Sequence, residues 1–192
     1  MKTQNNEIAI KNIEKSIKNN KIELIDLKCI DLTGRLHHVS LPVYDNIVKD
    51  LMHDGVGFDG SSYGFRKVEN SDMILIPDLN TAFIDPFRES PTLSFYANII
   101  TTGNRAPFSQ DGRHLARKAE QLLKKYTGCD ESHWGPEFEF YIFSKVKYDT
   151  RTSASYYELE HAEEFNTNAY HAANPFDVYD DFRDKACRLL KQ

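Results

Sequence analysis

An α+β architecture follows from how apolar residues recur along the 192-residue chain. Amphipathic stripes with three- and four-residue spacing stand near both ends. Between them lie short segments in which apolar and polar residues alternate with a period of two, separated by Gly and Pro. Hydrophobic residues make up 40% and aromatics 12%, which supports a packed core and argues against disorder. The net charge of −5 argues against a nucleic-acid backbone as partner. No apolar run is long enough to span a bilayer, so no membrane role is expected. The polar start Met1-Lys2-Thr3-Gln4-Asn5-Asn6-Glu7 lacks the apolar heart of a signal peptide. Cys29, Cys129 and Cys187 are scattered and odd in number. They fit reduced thiols of a cytoplasmic protein, each read as a small interior hydrophobe.

The elements are read in chain order. Residues 7–19 form a helix with Ile10, Ile13 and Ile17 on one face, stopped at Asn19-Asn20. Ile25, Leu27 and Cys29 alternate with polar neighbours, as do His37, Val39 and Leu41. With the turn Asp31-Leu32-Thr33-Gly34 between them, they make an antiparallel hairpin closed by Pro42. Tyr44 to His53 is a short helix. Residues 55–64 hold four of the nine glycines and read as a loop with special backbone angles. Strands follow at 73–77 and 91–100, with turns at Pro77-Asp78 and Asp85-Pro86 around 81–84. Residues 101–107 lack periodicity and mark a boundary.

A helix over 111–126 carries the stripe Leu115, Ala119, Leu122, Leu123 and Tyr126, capped by Asp111 and ended by Gly128. A strand is expected from Trp134 to Val146, then a polar excursion over 147–169. A last helix starts at Asn174-Pro175, with Val178, Phe182, Ala186 and Leu189 as its stripe.

Two segments carry candidate chemistry. In Gly135-Pro136-Glu137-Phe138-Glu139-Phe140, a strand would place Glu137 and Glu139 on one face, about 6.6 Å apart. Two such carboxylates suit a divalent cation, which removes the cost of holding like charges together. A half-buried strand with a wet acidic face explains the same pattern. In Phe58-Asp59-Gly60-Ser61-Ser62, Asp59 reads either as a functional acid or as a turn former. His37 and His38 read as surface histidines, Trp134 as packing, and Arg66 and Lys67 as solvated charge. Asp72 reads as a turn or interface residue.

The pieces Asp31-Leu32-Thr33-Gly34, His38-Val39-Ser40-Leu41-Pro42, Gly57-Phe58-Asp59-Gly60-Ser61-Ser62, Glu69-Asn70-Ser71-Asp72-Met73, Pro77-Asp78-Leu79-Asn80-Thr81, Asp85-Pro86-Phe87 and Gly135-Pro136-Glu137-Phe138-Glu139-Phe140 occur in that order. In them the chain resembles the N-terminal portion of a bacterial type I glutamine synthetase, from about residue 20 onward. The resemblance implies a β-grasp domain over residues 1–105, followed by an incomplete N-terminal part of the catalytic α/β domain over 106–192. It implies ATP-dependent joining of glutamate and ammonium through γ-glutamyl phosphate, with Mg²⁺ or Mn²⁺. Glu137 and Glu139 would be metal ligands. Asp59 would be the catalytic residue that binds ammonium and takes its proton, with Ser62 and Tyr170 lining the same pocket. The chain departs from the family around Tyr170, where Ala169-Tyr170-His171 replaces Gly-Tyr-Phe.

The resemblance also implies a cytoplasmic ring-shaped homo-oligomer, a dodecamer, in which the Asp59 loop of one protomer serves its neighbour's site. Two other accounts compete. One is a relative that ligates glutamate to a larger amine. The other is a non-catalytic β-grasp module that joins or regulates full-length rings.

The family's further metal ligands and phosphate-binding arginines fall beyond residue 192, so the chain by itself is expected to form no glutamine. An assay with glutamate, ATP, Mg²⁺ and ammonium checks this. The expected rate equals that of a Glu137→Ala control.

Overall fold

The computed structural model describes residues 2–160 and 178–191, as two compact units, 1–132 and 133–192. In the first unit, β1 (Leu24–Ile30) and β2 (Leu36–Pro42) form the expected hairpin, with Ile25 opposite Leu41 and Leu27 opposite Val39. β1 also pairs in parallel with β6 (Thr92–Thr101), which pairs antiparallel with β4 (Asp72–Pro77). β3 (Val56–Asp59) joins the far edge of β4, giving the order β2-β1-β6-β4-β3. The short β5 (Phe83–Ile84) lies on β6. A hairpin joined in parallel to a central strand, with helices on one face, is the α+β, β-grasp arrangement expected from the sequence.

Alternation decides the two faces of this sheet. Ile25, Leu27 and Cys29 of β1, Met73 and Leu75 of β4, and Leu93, Phe95, Ala97 and Ile99 of β6 point to one side and are buried. Onto them pack Ile13 and Ile17 of α1 (Lys2–Asn19) and Ile47, Val48 and Leu51 of α2 (Ile47–His53). Each such side chain contributes about 1.5–3 kcal/mol on leaving water. Burial pushes the Cys29 thiol up to about 12, as its reading as a small hydrophobe requires. Cys129 and Cys187 differ from that reading and are exposed.

The opposite face holds a charged cluster. Asp26 is 1% exposed and accepts from the Ser40 hydroxyl at 2.7 Å, while His38 Nδ1 lies 2.7 Å from the same carboxylate oxygen. Lys28 bridges Asp26 at 3.2 Å and Asp85 at 3.0 Å. His38 is therefore a structural partner of a buried acid as well as half-exposed. Burial pushes the Asp26 carboxyl up, but the bonds from Ser40, His38 and Lys28 outweigh it and hold the group below its ordinary range.

The helix α3 (Gly112–Thr127) belongs to the first unit. Asp111 caps it by accepting from the Arg113 amide, and Gly128 ends it at φ +74°. Its stripe is less buried than the sequence suggests, with Leu115 and Leu122 about half exposed. Arg113 and Arg117 instead pin it to Asp78, at 2.7 and 2.8 Å.

The second unit departs furthest from expectation. Residues 134–143 form no strand. Strand β7 (Lys145–Thr150) pairs with β8 (Ser155–Glu160), a segment the sequence reading placed in a polar excursion. Lys145–Glu160 and Lys147–Glu158 ion pairs line one face, and Val146 opposite Leu159 and Tyr148 opposite Tyr157 line the other. The polar composition concealed a hairpin whose charges are cross-strand pairs. Helix α4 (Asp180–Leu190) carries Phe182 about half exposed, as is Val178 just before it, and no described residue of this unit is buried. The expected helix start at Asn174-Pro175 lies outside the described residues. No described helix is long and apolar enough to cross a membrane.

Asp26→Ala removes the buried acceptor shared by Ser40, His38 and Lys28 and leaves Lys28 paired with Asp85 alone, so it is expected to lower stability by about 1–3 kcal/mol in urea unfolding. Asp26, Asp31 and Asp85 all have lowered folded-state pKa values. Their contribution is complete above the unfolded carboxylate value of about 4 and is lost as pH falls through the lower folded values. The urea midpoint should therefore hold down to about pH 4 and fall below it.

Candidate functional site

Asp59 is the last residue of β3 and points to the exposed side, while Phe58 turns inward. The chain then makes a tight turn. The Ser61 amide donates to Asp59 Oδ1 at 2.8 Å and the Ser61 hydroxyl to the same oxygen at 2.7 Å. The Ser62 hydroxyl lies 3.5 Å from Oδ2, a long contact. The acid is thus a turn former and an accessible carboxylate at once. The bonds from the Ser61 hydroxyl and amide, with smaller help from Ser71 and Ser62, hold it below the ordinary carboxylate range, so it is ionised near neutral pH.

Two constraints fix this turn. The Gly60 amide donates to the Ser71 carbonyl at 2.8 Å, extending the β3–β4 ladder. A Cβ on Gly60 would lie 2.5 Å from Met73 Sδ and 3.0 Å from the Ser71 carbonyl, so only glycine fits. The loop's aromatics anchor the other side. Tyr63 stacks on Phe58 at 5.2 Å, and Phe65 meets Phe108 edge-on at 5.5 Å. Arg66 lies over the Phe108 ring at 5.5 Å, a packing role its reading as solvated charge missed.

The register places Asp72 directly opposite Asp59. Cβ atoms of such pairs lie about 4.5–5.5 Å apart, where like charges repel. Asp72 therefore adds to the negative field at this strand end, beyond the turn role expected of it.

Glu137 and Glu139 are exposed, and no ladder holds them on one face. Phe138 and Phe140 are exposed as well, at 84% and 65%. The strand expected from alternation needs a partner edge, and no strand pairs with this segment among the described residues. In kind, two carboxylates suit Mg²⁺ or Mn²⁺. In number they fall short of the six oxygens such ions take, and no group of three or more His, Cys, Asp or Glu gathers as a metal site among the described residues. Tyr170 lies outside the described residues.

Sequence reasoning missed His37. Its Nε2 lies 2.8 Å from Asp31 Oδ2, and its ring stacks on Tyr63 at 4.1 Å with an interplanar angle of 19°. The signal was present: His37 is in phase with Val39 and Leu41, which pack against the core.

Comparison with known proteins gives concordant matches. The model of the glutamine synthetase β-grasp domain matches residues 21–102, and that of the glutamine synthetase catalytic domain matches residues 109–192. Glutamine synthetase of Mycolicibacterium smegmatis is 35% identical, over 93% of this chain and 42% of its own length. A 3-hydroxylaminophenol mutase of Cupriavidus pinatubonensis is 31% identical, over 95% of this chain and 42% of its own. The chain thus spans less than half of these relatives. Among solved structures, Plasmodium falciparum glutamine synthetase aligns over 95% of this chain and 39% of its own, with a TM-score of 0.72 and 17% identity, a likeness of fold.

Gly60→Ala is expected to cost about 1–3 kcal/mol through overpacking against Met73. Urea unfolding measures the loss.

Proposed function

The chain belongs to the glutamine synthetase family, and from that premise we propose that it serves the ATP-dependent ligation of ammonium to glutamate through γ-glutamyl phosphate. Asp59 carries this reading. It is an ionised carboxylate on a glycine-constrained turn, with a second acid opposite it, and such a pair draws a small cation. In the proposed mechanism Asp59 binds ammonium and accepts its proton, and the neutral amine attacks the acyl phosphate. Phosphate leaves as the amide bond forms. Ser62 and Tyr170 complete the ammonium pocket.

Glu137 and Glu139 would supply two of the oxygen ligands of Mg²⁺ or Mn²⁺. When bound, such an ion neutralises charge developing on the transferred phosphoryl group. The assembly we propose is a cytoplasmic ring of identical subunits, a dodecamer, in which one protomer's Asp59 loop serves the neighbour's metal-binding segment. The relative named as a mutase shows that this family hosts more than one named activity, so the reaction has to be tested directly.

In the assembled enzyme, Asp59→Asn is expected to raise the ammonium KM and lower kcat by about 10²–10⁴. Paired Glu137→Ala and Glu139→Ala changes are expected to weaken Mn²⁺ binding measured by titration calorimetry. An Asp59→Asn enzyme with unchanged ammonium kinetics overturns the proposal.

A further inference from the structure

The contacts of His37 are not explained by the chemistry assigned to Asp59. His37 sits at the turn end of β2, opposite Cys29 and on the core-facing side, and its side chain is 21% exposed. One nitrogen meets Asp31, and one ring face meets Tyr63. Asp31 is itself fixed, since the Thr33 amide, the Thr33 hydroxyl and the Arg35 amide all donate to its Oδ1 at 2.7–3.0 Å. The acid at the hairpin tip therefore sets the plane of the His37 ring, and the ring sets the place of Tyr63.

Tyr63 stands four residues after Asp59, inside the same turn. Its amide donates to the Gly60 carbonyl at 3.3 Å, and the Phe65 amide donates to that carbonyl at 2.9 Å. Gly60 and Ser61 in turn hold Asp59 in place. A shift of the Tyr63 ring would therefore pass through Gly60 to the carboxylate within one turn of chain. The sheet order makes this contact unusual, because β2 and β3 are opposite edges of the sheet. The loop after β3 must cross the core side to reach His37, and Phe65 is buried along that route.

We infer that Asp31, His37 and Tyr63 form a brace that ties the Asp59 loop to the β1–β2 hairpin, making His37 a positioning residue for ammonium capture. The functional half of the inference rests on the reading of Asp59 given above. The stack is the element that holds the loop, and the Asp31 bond orients it. A flat ring at position 37 should therefore suffice, whereas a hydrogen-bonding chain without a ring should not.

The experiment compares His37→Ala, His37→Phe and His37→Gln by amide hydrogen exchange in this chain, and by ammonium kinetics in the assembled enzyme. In His37→Ala, the amides of Ser61, Tyr63 and Phe65 are expected to exchange roughly threefold to tenfold faster. Those of Leu27 and Phe95 should stay as in the parent, showing an intact core. His37→Phe restores the slow exchange and His37→Gln does not. The ammonium KM follows the same order while the ATP KM stays level. Parent-like exchange in His37→Ala, or no rescue by His37→Phe, overturns the brace. A loosened loop, combined with an Asp59→Asn enzyme of unchanged ammonium KM, overturns the ammonium role of both residues and leaves the brace as structure only.

Discussion

The first unit depends on the parallel pairing of β1 with β6. The hairpin and the β4–β3 half share no other ladder, so these five registered residue pairs join them into one sheet. Ile25 beside Leu93 and Leu27 beside Phe95 put the most deeply buried side chains on this seam. A seam between distant segments closes late, because the chain must lose the entropy of the intervening loop first. Once closed it also sets the edges. β2 and β3 become the two outer strands, and both chemically interesting loops leave from there.

That arrangement explains why Asp59 is held so firmly although it is exposed. One side of its turn continues the β3–β4 ladder, and the other is packed with aromatics. The loop returns across the core side, so the two outer strands are linked through side chains as well as through the sheet. Preorganisation of this kind places a charge before any ligand arrives, which is where a binding carboxylate gains most. The opposed Asp72 makes the geometry costly until a cation sits nearby.

Much of this fold was legible in residue order. The hairpin, α1, the strands β4 and β6, and the Asp111 and Gly128 caps follow from alternation, helical spacing and Gly or Asp chemistry at termini. What escaped was tertiary. Whether Val56–Asp59 is strand or loop depends on β4 being present beside it, and glycine content alone favoured a loop. Whether His37 is wet depends on Tyr63, although its phase with Val39 and Leu41 pointed inward. The β7–β8 hairpin was hidden because its Lys and Glu residues look like solvated charge until the pairing is known. At the candidate site, Asp59 was legible as an acid in a constrained turn, but its opposition to Asp72 was not.

The segment around Glu137 and Glu139 shows the limit of pattern reasoning most clearly. Alternation states that a segment can be a strand, whereas hydrogen bonds to a neighbour make it one. β7 and β8 meet that condition locally, through a short turn and two Lys–Glu pairs. Residues 134–143 do not, and Phe138 and Phe140 among them are 84% and 65% exposed. Two carboxylates on backbone that no ladder holds must give up conformational freedom, and overcome mutual repulsion, before they can chelate one ion. Their affinity is therefore set by whatever fixes the backbone more than by the acids themselves. Asp59 meets no such cost, because its turn is closed by the residues on either side of it. The Asp59 carboxylate is thus fixed within the first unit, whereas nothing among the described residues holds Glu137 and Glu139 on one strand face.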